Sequence, residues 1–343
     1  MAEVAAAAGV SPMTVSYAYS QPERLSSAAS ERVAEAAERL GYTGPHPGAR
    51  ALRRGRAGAL GVVIGEHLTY AFDDPAAARF LSGVAAVCAQ NRVALTLVPV
   101  TGTDDDAARV AAAAVDGFVV WTLDDNDPVL TAVAATGRPA AVHGSTAVAG
   151  LAAVGIDDRA SAVAIGELAF AGSSHPLVLS FPLSTDRRPG LHVGLDPAQA
   201  RFPVTRDRLH GLREAWRDGG RSWSQMRVAV CAANTATDAV AAIEQALRSG
   251  EPLDAIAAMS DELALAAIDT LAAAGKSVPT AVAVTGWDDT PAASAAGLST
   301  IHQDLRAQGA RCAHLVLSPQ PNTDRPARAD WKVVVRTSTR TAP

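Results

Sequence analysis

Two rhythms alternate along most of this chain. From residue 59 onward, short runs of consecutive apolar residues are separated by longer stretches in which apolar side chains return every three or four positions. The runs over 60–64, 95–98, 118–121 and 140–142 predict strands buried on both faces, and the stretches near 76–90, 105–114 and 127–136 predict helices between them. A second series follows, with strands expected at 177–181, 227–232, 255–259 and 281–285 and helices near 206–218, 236–248 and 261–274. Strands that alternate with crossover helices form doubly wound parallel sheets, so the fold class is α/β. Two such series of similar length predict two lobes, with a ligand cleft at the carboxyl ends of their strands.

The first 44 residues follow a different pattern, that of a small all-α unit. A helix over 3–8 stops at Gly9. Ser11 is a good N-cap with Pro12 at the first helical position, so a second helix runs to about Tyr19. Ser26 or Ser27 caps a third, which carries Val33, Ala36, Ala37 and Leu40 on one face and ends at Gly41. Its modest core is expected from Val4, Ala8, Val10, Val15, Val33 and Leu40. The stretch Gly44-Pro45-His46-Pro47-Gly48 excludes a stable helix, and 49–54 is a short run of helix formers with one large apolar side chain, Leu52. The organisation is therefore a head at 1–44, a hinge at 45–58 and a sensor at 59–343. Lobe one takes about 59–158 and 305–327, and lobe two about 159–304 and 328–340.

Composition narrows the class. The chain is 48% hydrophobic but only 4% aromatic, a mixture that suits helices packed closely on parallel strands. Cys88, Cys231 and Cys312 are odd in number, widely spaced and without metal-ligand spacing, so they read as buried thiols in a reducing compartment. With no basic n-region, no secretory signal and no long apolar run, the expectation is a cytoplasmic protein that does not enter a membrane. Neither a cofactor nor a metal is called for. The net charge of −5 is uneven: residues 1–58 carry seven arginines against five glutamates, so the remainder carries −7. A basic head on an acidic body suits a head that meets polyanions, although a solvated helix end with a basic linker would give the same charge.

The run Val4-Ala5-Ala6-Ala7-Ala8-Gly9-Val10-Ser11-Pro12-Met13-Thr14-Val15-Ser16 resembles the helix-turn-helix of the lactose/galactose repressor family, bacterial transcription regulators with a periplasmic-binding-protein-like sensor. The likeness continues through Val115-Asp116-Gly117-Phe118, Arg206-x-Arg208-Leu-x-Gly211, Ser260-Asp261-Glu262-Leu263-Ala264, Val284-x-Gly286-Trp287-Asp288-Asp289 and Thr300-Ile301-His302-Gln303. The resemblance implies a homodimeric repressor that grips near-palindromic operator DNA and responds to a small effector. In that reading Ser11, Thr14 and Ser16 give hydroxyls to phosphates, while Pro12, Met13 and Tyr17 face the bases. Tyr17 stands where the family commonly has arginine, so guanine would not be read in the usual bidentate way. The segment 49–54 resembles the family's hinge helix: Leu52 would wedge the minor groove, and Arg50, Arg53 and Arg54 would contact phosphates.

For the effector, Arg208 and Asp288 match family positions that hydrogen-bond a polar ligand such as a sugar or nucleoside. Arg206, Asn234 and Trp121 are further candidates on the same resemblance. Tyr70 and Phe72 form an aromatic pair in the loop after the first strand and suit a ring-stacking wall. Gly144 stands where many relatives carry a sugar-binding aspartate, which argues against importing a lactose-like or ribose-like ligand unchanged. His67, His143, His175 and His302 are scattered and read as loop or surface histidines. Catalysis is a poor third reading: Asp157-Asp158 and Asp288-Asp289 are adjacent loop carboxylates that do not oppose one another, and no nucleophile elbow, P-loop or dinucleotide fingerprint occurs. The competing reading is a sugar-binding protein of the periplasmic-binding fold without DNA activity, which would carry a signal peptide and no head.

Overall fold

A computed structural model describes residues 1–44, 56–65, 68–144, 150–318 and 327–340. Two compact units divide the chain, Met1–Gly58 and Ala59–Pro343.

The head is built from helices α1 (Ala2–Ala8), α2 (Pro12–Ser20) and α3 (Ser27–Arg39). Gly9 lies at φ 61°, the left-handed conformation that costs glycine nothing, and this lets the chain turn sharply out of α1. Ser11 accepts the Thr14 N–H at 3.1 Å and starts α2, with Pro12 at the first helical position. Ser26 caps α3 in the same way through Ala29. Val4, Ala5, Ala8, Val15, Val33, Ala36 and Ala37 make the core, and Val10 packs at its edge. Leu40 is not part of it: as the C-cap residue of α3 it has left the helical face and is half exposed. Tyr42 folds back instead and meets Tyr19 edge-on at 5.8 Å.

In the second unit the first sheet runs β12-β5-β4-β3-β1-β2, all parallel, from strands β1 (Ala59–Ile64), β2 (Ala94–Pro99), β3 (Gly117–Trp121), β4 (Ala140–His143), β5 (Ala152–Gly155) and β12 (Ala327–Arg328). The second sheet runs β10-β9-β6-β8-β7 from β6 (Pro176–Ser180), β7 (Gly190–Val193), β8 (Arg227–Val230), β9 (Ala255–Ala258) and β10 (Ala283–Thr285). It is parallel except for β7, an antiparallel edge that the sequence pattern did not predict because its four residues are half exposed and do not alternate. Leu60, Val62, Val63, Ile64 and Phe118 to Val120 are all buried, as runs sandwiched between two helical layers must be. Each sheet has an apolar cluster on either face, and together these form the cores of the two lobes.

The chain passes between lobes after β5, after β11 (Thr300–Gln303) and after β12, and β11 pairs antiparallel with β13 (Trp331–Val334) beside these crossings. The helix Asp158–Phe170 then packs on the helix Pro203–Asp218 in lobe two, and Leu305–Leu317 packs on Pro75–Asn91 in lobe one. This wiring brings the ends of β3, β4, β8 and β11 to one cleft. Among the described residues, no helix is long and apolar enough to cross a membrane.

Candidate functional site

On the head, Ser11, Pro12 and Met13 stand exposed at the start of α2, with Met13 62% accessible. Ser11 and Thr14 hydroxyls bond each other at 2.9 Å, while Thr14, Ser16 and Tyr17 are half-buried along the same helix. The Arg24 guanidinium lies over the Tyr17 ring, 5.5 Å from its centroid. Val15 is fully buried and orients the helix, so these side chains share a surface that the head core leaves uncovered. At the start of α2 Pro12 has no N–H and those of Thr14 and Val15 are bonded to Ser11, so the polar groups on this surface are mainly hydroxyls. The hinge candidates Arg50, Leu52, Arg53 and Arg54 lie outside the described residues.

Between the two sheets lies a cleft, partly open to solvent, with a cavity of about 110 Å³. Of the residues singled out from sequence, Tyr70, Trp121, Arg208, Asn234 and Asp288 line it together. Arg208 is 5% exposed: its Nε donates to Asp158 at 2.8 Å, its Nη1 to the Met259 carbonyl at 2.6 Å, and its plane stacks 3.9 Å from the Trp287 ring. That clamp fixes a guanidinium in the wall and keeps a buried cation paired. Burial pushes the Asp158 carboxyl above its ordinary value, and Arg208 pulls it back.

Asp288 sits at φ 108°, a conformation that residues other than glycine rarely adopt, with its N–H bonded to the Ile301 carbonyl at 2.8 Å. The turn separates the two adjacent carboxylates. Asp288 points into the cleft and accepts from Gln303 Nε2 at 2.7 Å, whereas Asp289 is held away by Arg336 at 2.6 Å and His302 at 2.9 Å. Burial pushes Asp288 up to about 8, with Asp261 and Asp74 adding to the rise and Arg208 and Gln303 opposing it.

An acid whose folded value exceeds its unfolded value binds its proton more tightly when folded, so stability is full below about 3.8 and declines as pH rises towards about 8. Over the upper part of that range His143 is silent, because burial lowers it to about 4. Stability should thus fall by up to about 1.4 kcal/mol per pH unit between about pH 6.5 and 8 and level off above. Asp288→Asn should flatten that slope in urea unfolding, and parallel curves for variant and wild type would count against it.

Two candidates lie elsewhere. Phe72 is 69% exposed, because the single turn Tyr70–Asp73 sends residues two apart to opposite sides, leaving only Tyr70 towards the cleft. Arg206 is drawn to Asp125 of lobe one at 2.6 Å and does not line the cleft. Asn234 does line it, but both ends of its amide are committed, to Asp74 at 2.5 Å and to Ser260 at 2.6 Å. With Arg187, which reaches the Gly65 carbonyl, and Arg79, which reaches those of Asp288 and Asp289, these residues tie the lobes across the cleft.

The structure adds His143, Gln303, Phe181, Arg187, Phe202 and Thr205 to the lining. His143 is 7% exposed rather than a surface residue, stacked on Trp121 at 4.7 Å with 3° between the planes. It is the last residue of β4, and the rule that ligands bind at carboxyl ends of parallel strands singles out that position.

Comparison with known proteins adds a family context. A family model described as bacterial regulatory proteins, lacI family, matches residues 1–44, and one described as a periplasmic binding protein-like domain matches 187–339. An HTH-type transcriptional regulator of Mycobacterium tuberculosis is 38% identical, over 93% of this chain and 90% of that protein. The HTH-type transcriptional regulator IpsA of Corynebacterium glutamicum is 34% identical, over 92% and 90%. Among solved structures, a LacI-family transcriptional regulator from Corynebacterium glutamicum superposes with a TM-score of 0.75 at 28% identity, covering 100% of this chain and 98% of that one. The lac repressor dimer bound to operator and the anti-inducer ONPF shares the fold, with a TM-score of 0.73 at 22% identity over 98% and 97%.

Proposed function

The chain belongs to the lacI family of bacterial regulatory proteins, which are DNA-binding transcriptional regulators, and from that premise we propose a homodimeric repressor controlled by a small polar effector. The observation that carries the effector half is the cleft, where the buried Arg208 and Asp288 of lobe two face Tyr70 and Trp121 of lobe one. Polar groups held rigid beside aromatic faces bind a ligand with several hydroxyls and a flat apolar side, such as a sugar or a nucleoside. A relative in fold, the regulator CelR, is described as a complex with cellobiose. Ligand is held by both lobes at once, so binding shifts the balance between their arrangements and with it operator affinity. The protein works in the cytoplasm, where its operator is. We read the cleft as a binding site: among the described residues Asp288 is the one carboxyl in its lining, and Asp289 is turned away to Arg336 and His302.

The test is selection from a pool of genomic fragments at stated salt, with and without candidate sugars and nucleosides. A repressor enriches a near-palindrome with a flexible central step, and its effector changes that affinity by about 5- to 150-fold. Binding that is weak, steeply salt-dependent and indifferent to sequence would sink the operator reading. The cleft would then remain as that of a binding protein without DNA activity.

A further inference from the structure

Four side chains form a continuous hydrogen-bond relay from one lobe to the other. His143 Nε2 meets Gln308 Oε1 at 2.9 Å, Gln308 Nε2 donates to Gln303 Oε1 at 3.1 Å, and Gln303 Nε2 donates to Asp288 Oδ1 at 2.7 Å. All four residues are buried, at 3% exposure for Gln303 and 2% for Gln308. The direction of the relay is fixed from its acidic end. Above about pH 8, where Asp288 is ionised, its carboxylate only accepts, so Gln303 must turn its amide N–H₂ towards Asp288 and its oxygen towards Gln308. Gln308 must then do the same, presenting its oxygen to His143. The imidazole proton therefore sits on Nε2, and Nδ1 carries a bare lone pair.

Nδ1 has no hydrogen-bond partner among the described residues, although it is buried. The ring that carries it forms part of the cleft wall, between Trp121 on one face and Phe80 at 4.8 Å. A buried acceptor left unpaired is costly, and a donor brought by a ligand removes that cost. The ring does not meet the need by taking a second proton: burial and the nearby Arg208 keep it neutral.

We propose that His143 is a specificity-determining contact of the cleft, its Nδ1 accepting a hydrogen bond from a hydroxyl or N–H group of the ligand because the relay to Asp288 holds the proton on Nε2. This rests on the reading of the cleft as the effector site and adds a chemical requirement to it. The ligand carries a donor at this point, and a carboxylate or phosphate oxygen there would meet lone pair with lone pair. His143 so takes a recognition role at the end of β4, next to Gly144, where no carboxylate is available to do it.

The experiment is nitrogen NMR on the full chain labelled at histidine. The His143 resonance is assigned by its loss in His143→Phe or, should that variant not fold, in His143→Gln. At about pH 9, above the value of about 8 to which burial pushes Asp288, the wild type should show Nδ1 unprotonated. In Asp288→Asn the terminal group can donate or accept, the relay is free to run either way, and Nδ1 should move towards the protonated position. Glycerol, the smallest vicinal triol, should shift Nδ1 saturably in the wild type. Dimethoxyethane, which offers ether oxygens without O–H groups, should not. A proton on Nδ1 in the wild type, an unmoved resonance in Asp288→Asn, or the same response to both probes overturns the proposal. Failure of the effector reading is a separate result: operator affinity would ignore every sugar and nucleoside while the tautomer stayed as described.

Discussion

Arg208→Ala is expected to destabilise the second lobe by roughly 3–5 kcal/mol and to abolish any change of operator affinity on adding effector. The stability loss has three sources. Asp158, only 11% exposed at its side chain, loses its counter-charge. The Met259 carbonyl loses a 2.6 Å donor, and the slot between Trp287 and Phe181 empties. The stranded carboxylate relieves itself in part by taking up a proton, since burial already raises its value. Arg208→Lys separates charge from geometry. An ammonium keeps the charge but cannot reach Asp158 and Met259 together while lying flat on an indole. It should recover part of the stability and little of the effector response. Urea unfolding beside operator titrations with and without effector checks both effects. An alanine variant within about 1 kcal/mol of wild type that still responds would remove Arg208 from the clamp and from the site.

Why Arg208 stood out in the sequence and the bond between His143 and Gln308 did not is a matter of how each is held. The arginine sits in a local motif, and its helix Pro203–Asp218 shows a clear apolar face. The same holds for the buried runs of β1 and β3, for Gly9 with Ser11 in the head, and for Trp121 at a strand end. The helix Asp158–Phe170 was not legible because it is rich in alanine and buried against both a helix and strands, so no polar stripe marks its period. β5 is only four residues, three of them alanine or valine in a stretch without contrast. His143 and Gln308 are 165 positions apart, and their bond exists only because the chain re-enters lobe one after β11. A lone histidine carries no mark of such a partner. Phe72 failed for a local reason, since a single helical turn divides an aromatic pair that a loop would have kept together.

Gly211→Val is expected to cost both stability and effector affinity, and the reason lies in how closely two helices cross. A Cβ at Gly211 would stand 2.3 Å from the Arg159 carbonyl oxygen and 2.6 Å from the Ala162 side chain, both on the facing helix. Gly166 on that facing helix has the reciprocal problem with Ala215. Helix propensity alone would favour replacing Gly211, by about 1 kcal/mol for alanine. Contact with backbone cannot be relieved by a rotamer change, so the helices must part, and overpacking costs about 1–3 kcal/mol or more. Steric exclusion therefore wins over propensity, and valine is worse than alanine.

The consequence for the cleft follows from position. Arg208 lies one turn before Gly211, and its partner Asp158 is the neighbour of Arg159, so any separation of the helices lengthens the 2.8 Å bond that holds the guanidinium. Gly219→Ala, at the open end of the same helix with no contact shorter than 3.4 Å, should be near neutral. Thermal unfolding and effector titration of the two variants make the comparison. A Gly211→Val protein as stable as Gly219→Ala would mean that the helices do not meet at this glycine. A destabilised one with unchanged effector affinity would mean that Arg208 does not depend on their separation.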